Sequence, residues 1–182
     1  MSDVEIRPTM STDLDVLADV LVLVHACDGY PVEGVDDARA WVELPEALGQ
    51  WTALLRNRPV GHVALLRPAL EDGAPALLAA EGGPVDRVAV LARLFVSPNA
   101  RGKGIANALM AAAESNAHQM QLGLVLDVLT KDRRALQLYE ARGWRRLGRI
   151  VHQFGENCRE DGYALVAPAG TVNYLGQGSS RD

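Results

Sequence analysis

Apolar positions along this chain switch between two periods, and the switches mark its elements. Val4-Glu5-Ile6-Arg7-Pro8 alternates and then meets a proline, which predicts a first edge strand. Leu14, Leu17, Leu21 and Val24 recur at helical spacing. Ser11 or Thr12 stands ahead of them as a cap, and Asp13 and Asp15 lie in a first turn where the helix dipole favours acid. Asp28-Gly29-Tyr30-Pro31 stops that helix, and a short second helix is predicted over 36–42. The runs 51–55 and 60–66 read as strands around Arg56-Asn57-Arg58-Pro59, a hairpin turn in which Asn57 accepts a positive φ. Residues 67–86, with their glycines and prolines, read as one long loop. A central strand is predicted over 86–96, the main helix from 102 to about 117, an apolar strand over 122–129 and a further helix over 131–142. The runs 144–153 and 162–166 close the sheet as a hairpin. This order, β-α-α-β-β-β-α-β-α-β-β, predicts an α/β fold with a mixed, twisted sheet of about seven strands. One domain over 1–167 is expected, followed by a Gly- and Ser-containing tail, 168–182, that is disordered or reaches a neighbouring molecule.

Composition narrows the class. At 182 residues and 48% hydrophobic the chain fills one domain with a full core. A net charge of −5 argues against a nucleic-acid partner. Local charge runs the other way: Arg101, Lys103, Lys131, Arg133 and Arg134 gather around two short segments, an arrangement suited to a polyanionic small ligand. The two cysteines, Cys27 and Cys158, lack CxxC spacing, and the four histidines lack metal-ligand spacing. Both facts suggest a reducing compartment and no metal site. The apolar stretch 14–27 contains Asp15 and Asp19 and is too short for a membrane span. With no signal peptide visible, the expectation is a soluble, cytoplasmic protein without a membrane partner.

The chemistry concentrates in Leu91 to Ala113. An apolar strand ends at Val96, a turn follows at Ser97-Pro98-Asn99-Ala100, and Arg101-Gly102-Lys103-Gly104-Ile105-Ala106 opens into an alanine-rich helix. The N–H groups of a helix's first turn have no partners of their own, and the dipole adds about half a positive charge there. Glycines let the backbone close on a phosphate, so this segment is built to hold an anion. A Walker A loop fails twice here: Ser97 stands where its first glycine belongs, and Gly104 where its Ser/Thr belongs. A dinucleotide fingerprint fails once, at Asn107. The pattern [RQ]-x-x-G-x-[GA] after a strand ending V-x-P fits throughout, with Arg101, Gly104 and Ala106 behind Val96 and Pro98.

That pattern resembles the pyrophosphate-binding motif of the GNAT superfamily of acyl-CoA-dependent N-acyltransferases. A second signature of that family, roughly N-x-x-A-x-x-[LF]-Y-x-x-x-G-[FW], is matched by Asp132, Ala135, Leu138, Tyr139, Gly143 and Trp144, with Asp132 in place of the usual Asn. The resemblance covers about residues 4–167. It implies the GNAT fold, with helices on both faces and the two central strands splayed apart where the coenzyme sits. It implies acetyl-CoA as acyl donor. The N–H groups of Gly102, Lys103, Gly104, Ile105 and Ala106 would hold the pyrophosphate, with charge from Arg101 and Lys103. The backbone of Leu94, Phe95 and Val96 would pair with the pantetheine amides as an added strand and polarise the thioester. Ala135 and Asp132 would border the same site, Asp132 chiefly as a helix cap. Tyr139 would protonate the leaving thiolate as the catalytic acid.

The general base is absent from its usual place, because Val88-Ala89-Val90-Leu91-Ala92-Arg93 of the central strand offers only Arg93. Asp28, His62 and His152 are the remaining candidates. A lysine-like amine is only about 0.1% neutral at pH 7.5, so freeing it costs ~4 kcal/mol; an α-amino group with pKa ~7.8 needs far less help. An acceptor of lowered amine pKa, or proton removal through a water chain, is therefore expected. Asp28 and Tyr30 are the expected acceptor-binding residues, with Glu33 and the segment 67–86 nearby. The acceptor would be the primary amine of a small molecule or peptide. A non-catalytic acyl-CoA-binding regulatory module is the competing reading; a toxin acylating aminoacyl-tRNA fits the acidic chain poorly. A homodimer through the late strands is left open.

Overall fold

The computed structural model describes residues 4–70 and 72–168. Apart from Pro168, the expected tail therefore lies outside the described residues. The elements run β1 (Val4–Pro8), α1 (Leu14–Asp28), α2 (Ala38–Val42), β2 (Gly49–Leu55), β3 (Arg58–Leu66), α3 (Gly73–Ala80), β4 (Val88–Val96), α4 (Ile105–Gln119), β5 (Gly123–Leu129), α5 (Arg133–Ala141), β6 (Arg145–Phe154) and β7 (Cys158–Val166). One sheet of seven strands has the order β1-β2-β3-β4-β5-β7-β6. All its pairings are antiparallel except β4 with β5.

Side-chain alternation sorts the helices onto two faces. Ala89 and Leu91 of β4, Leu124, Leu126 and Val128 of β5, and Leu165 of β7 face α4 and α5. Val88 and Val90, Val125, Ala164 and Val166 face α3 on the other side. Phe95 joins α1 and α2 in a third cluster. Helix α4 buries Ile105, Leu109, Met110, Ala113 and Ala117, the one-face spacing that its sequence predicts.

The structure departs from the sequence reading at four places. The segment 67–86 contains a helix, α3. Its glycines and prolines sit at the ends: Pro75 lies in the first turn, where a missing N–H costs nothing, and Gly82 and Gly83 follow the last turn. The alanines and leucines between them favour helix, and Ala74 and Leu78 are buried against the sheet. The turn between β2 and β3 is Arg56-Asn57 alone, both at positive φ. Pro59 enters β3 beside a register shift, where its missing N–H breaks no ladder. β7 starts at Cys158, four residues before the apolar run, because ladder pairing with β6 carries exposed polar residues outward. At the start of α1, neither Ser11 nor Thr12 is the cap. Asp13 takes the Met10 N–H at 2.8 Å and a two-point ion pair from Arg7 at 2.7 and 2.8 Å. That guanidinium holds the buried Asp13 carboxyl below its ordinary range.

Candidate active site

Two strands part company to make the site. β4 and β5 pair only at Val88–Gly123, Ala89–Leu124 and Val90–Val125. Beyond Val125, β5 continues along β7, whereas β4 stays with β3, so a gap opens between Leu91–Val96 and Leu126–Leu129. β4 is also bulged: Arg93 and Leu94 lie opposite Val63 alone, and Arg93 sits at φ +55. The Ser97 N–H donates to Val60 O at 2.7 Å across β3. Alternation therefore turns Val96 toward the gap, and Arg101 Nε donates to its carbonyl at 3.3 Å.

The gap widens into a cleft of about 1270 Å³. Leu94, Phe95 and Val96 line one wall, and Asp132, Ala135 and Tyr139 the other. The floor at one end is Arg101, Gly102, Gly104, Ile105 and Ala106. Gly102 and Gly104 stand at φ +77 and +76, with open space where a Cβ would project. Helix α4 starts straight after Gly104, so the N–H groups of its first turn open onto that space. A glycine cradle at a helix N-terminus fits a diphosphate.

Most of the expected site residues thus converge on one cleft, and four expectations need revision. Lys103 is exposed and does not line the cleft. Asp132 sits ahead of α5 but makes no side-chain cap; burial raises its carboxyl pKa, with Lys131 acting against that rise. Asp28 lines the cleft bound to Arg101, whose Nη1 lies 3.3 Å from Asp28 Oδ1, while Lys131 Nζ donates to Gly29 O at 3.1 Å. Asp28 and Arg101 therefore neutralise each other. His62 is wholly buried outside the cleft, with Nδ1 3.0 Å from Arg93 O and Nε2 3.2 Å from Gln50 Oε1. Burial pushes its pKa down to about 4, and it supports the bulge.

Tyr139 is buried against Trp144, ring centroids 5.8 Å apart. Burial raises its pKa, so the phenol keeps its proton. Tyr30, also raised by burial, stands edge-on to Trp41 at 5.8 Å.

The far end of the cleft holds the candidate base His152 and Glu33, together with Asp127 and Arg93, to which the sequence reading gave no role. His152 Nε2 lies 2.6 Å from Glu33 Oε1, joining β6 to the loop after α1. Asp127 accepts the N–H groups of Gly73 and Ala74 at 2.7 and 2.8 Å, pinning α3 to β5. Burial raises the Asp127 carboxyl pKa, and those two N–H groups pull it back. Arg93 lies over the Trp41 ring, 4.5 Å from its centroid, and donates to Trp41 O. A charge inside an otherwise apolar strand was the available signal for both Asp127 and Arg93. Among the described residues no helix is long and apolar enough to cross a membrane, and no cluster is placed to hold a metal.

Splayed central strands above a glycine-lined helix N-terminus define an acyltransferase of the coenzyme A type. A sequence profile of the acetyltransferase (GNAT) family matches residues 17–144, and the chain belongs to that family as an N-acetyltransferase. No curated protein sequence matches it. Among solved structures, the Escherichia coli ribosomal-protein-S18-alanine N-acetyltransferase aligns with TM-score 0.69 at 17% identity, over 98% of this chain and 99% of that one. Arabidopsis thaliana NAA60 in complex with a bisubstrate analogue aligns with TM-score 0.70 at 18% identity, over 94% and 99%. The putative acetyltransferase yncA of Salmonella typhimurium, solved with acetyl-CoA, aligns with TM-score 0.66 at 13% identity, over 99% and 98%. These likenesses are of fold.

Proposed function

We propose that this chain moves an acetyl group from acetyl-CoA directly to the primary amine of a small molecule or peptide. The observation that carries the reading is the gap beside Leu91–Val96, ending at the positive-φ glycines Gly102 and Gly104. The first-turn N–H groups of α4 hold the diphosphate, and the unpaired edge of β4 takes the pantetheine arm as a strand takes its neighbour. Arg101 turns from Asp28 toward the diphosphate when the cleft fills. The main-chain N–H of Leu94, on the gap side with that of Val96, donates to the thioester oxygen as it gains charge, a contribution of about 2.7–4 kcal/mol.

The neutral amine nitrogen bonds to the acyl carbon, and the C–S bond breaks. The proton lost by nitrogen passes to His152, oriented by Glu33, directly or through water. The sulfur takes the Tyr139 proton. Burial keeps that phenol protonated, so its O–H is available to hydrogen-bond the sulfur as the C–S bond breaks. Release of free thiol from acetyl-CoA, measured over a panel of amines, tests the reading. Acceptor-dependent release is expected, and coenzyme A binding without release from any amine would overturn it.

A further inference from the structure

We propose that Arg93 is an anion-recognition group and that the acceptor is an α-amino acid whose free carboxylate binds it. The inference rests on the transferase reading above and names its acceptor class. Arg93 lines the cleft and is partly buried, which lowers the guanidinium's own pKa. Arg101, which also lines the cleft, has a carboxylate partner in Asp28. Arg93 has none among the described residues. One N–H goes to Trp41 O, and its face stacks on the Trp41 ring. The acidic side chain that influences it most, Glu33, is already bound to His152 at 2.6 Å. A guanidinium has five N–H donors in a fork that matches a carboxylate at two points. The donors not given to Trp41 O remain accessible at the cleft, where an anion can take them.

Position sets the ligand's shape. Arg93 occupies the bulge, one residue from Leu94 and two from Phe95, the segment proposed to face the thioester. Residues along a strand are about 3.3 Å apart, so the anion and the reacting nitrogen lie within about one arginine side-chain length of each other. An amine and a carboxylate on one carbon satisfy that. The same contact helps the chemistry. A neighbouring carboxylate favours the ammonium form, and a guanidinium that neutralises it removes that bias. Arg93 thereby compensates in part for a central strand that carries no carboxylate base.

The test compares sets of three acceptors: an amino acid, its primary amide, and the amine lacking the carboxyl group, starting with methionine, methioninamide and 3-(methylthio)propylamine. Thiol release should favour the acid by about tenfold or more in kcat/KM, the weight of hydrogen bonds to a charged group. Arg93→Gln should erase that preference, and Arg93→Lys should keep part of it. A second readout needs no turnover. The amino acid, and not its amide, should change the fluorescence of Trp41, with the change missing in Trp41→Phe. Acid and amide used alike, with equal effect on Trp41, would overturn the proposal while leaving the transferase reading intact. No thiol release from any acceptor would overturn the transferase reading, and the Arg93 site would then stand or fall on the fluorescence difference alone. The native acid–amide comparison decides even if Arg93→Gln fails to fold.

Discussion

Gly104→Ala separates the cost of a backbone conformation from the cost of a lost ligand contact. Gly104 sits at φ +76 immediately before α4, and nothing lies within 4 Å of the position its Cβ would take. The alanine methyl therefore clashes with no part of the protein. Its penalty in the free protein is conformational, about 1–2 kcal/mol for an L-residue held in the left-handed region. For a chain of this length that lowers Tm by roughly 2–8 °C, at about 2–4 °C per kcal/mol. If the open space is where the diphosphate sits, the methyl also displaces it from the α4 N-terminus. Losing one hydrogen bond to a charged group costs about 1.5–3 kcal/mol, or roughly 10–150-fold in affinity. Thermal melting of the free protein reads the first cost, and calorimetry with acetyl-CoA reads the second. A normal affinity accompanying the expected loss in Tm would show that the diphosphate does not lie on this loop, and the proposed site would be wrong.

Further expectations concern single groups. Tyr139→Phe should lower kcat with little change in acetyl-CoA affinity, as read by steady-state kinetics beside calorimetry; full turnover would remove Tyr139 from the mechanism. His152→Ala should lower kcat most for acceptors of high amine pKa, and a pH–rate profile identical to the parent's would exclude it as proton acceptor. His62 is neutral in the fold, with a pKa of about 4 against 6.5 when free. Above pH 6.5 it contributes nothing to the pH dependence. As pH falls from 6.5 toward 4 only the unfolded chain gains the proton, so stability drops by about 3 kcal/mol. Urea midpoints at pH 7 and 4.5 measure that drop, and His62→Gln should shrink it; an unchanged drop in that variant refutes the assignment. Asp127→Ala leaves the Gly73 and Ala74 N–H groups without their acceptor, which costs about 0.5–2 kcal/mol, as for lost helix caps. Hydrogen exchange should speed up first in α3; loss spread evenly through the sheet would argue against a local anchor.

The elements and their order were legible because periodicity reports burial, and burial is the main local consequence of the fold. β1, α1, the β2–β3 hairpin, β4 and α4 all follow from positions that alternate or recur every three to four residues. α3 was not legible, because proline and glycine signal a break whether they sit inside a helix or at its ends. Asp127, 54 positions on from Gly73, accepts the N–H groups of its first turn.

The sequence by itself determined the glycine loop, the helix that follows it and the tyrosine motif, since each is a short-range pattern fixed by backbone conformation and side-chain chemistry. Tertiary structure decided which charges are spent and which are free. Asp28 meets Arg101 across 73 positions and His152 meets Glu33 across 119, whereas Arg93 is left without a carboxylate among the described residues. Electrostatic pairing depends on distance in space and on desolvation, and neither is written in the spacing of residues along a chain.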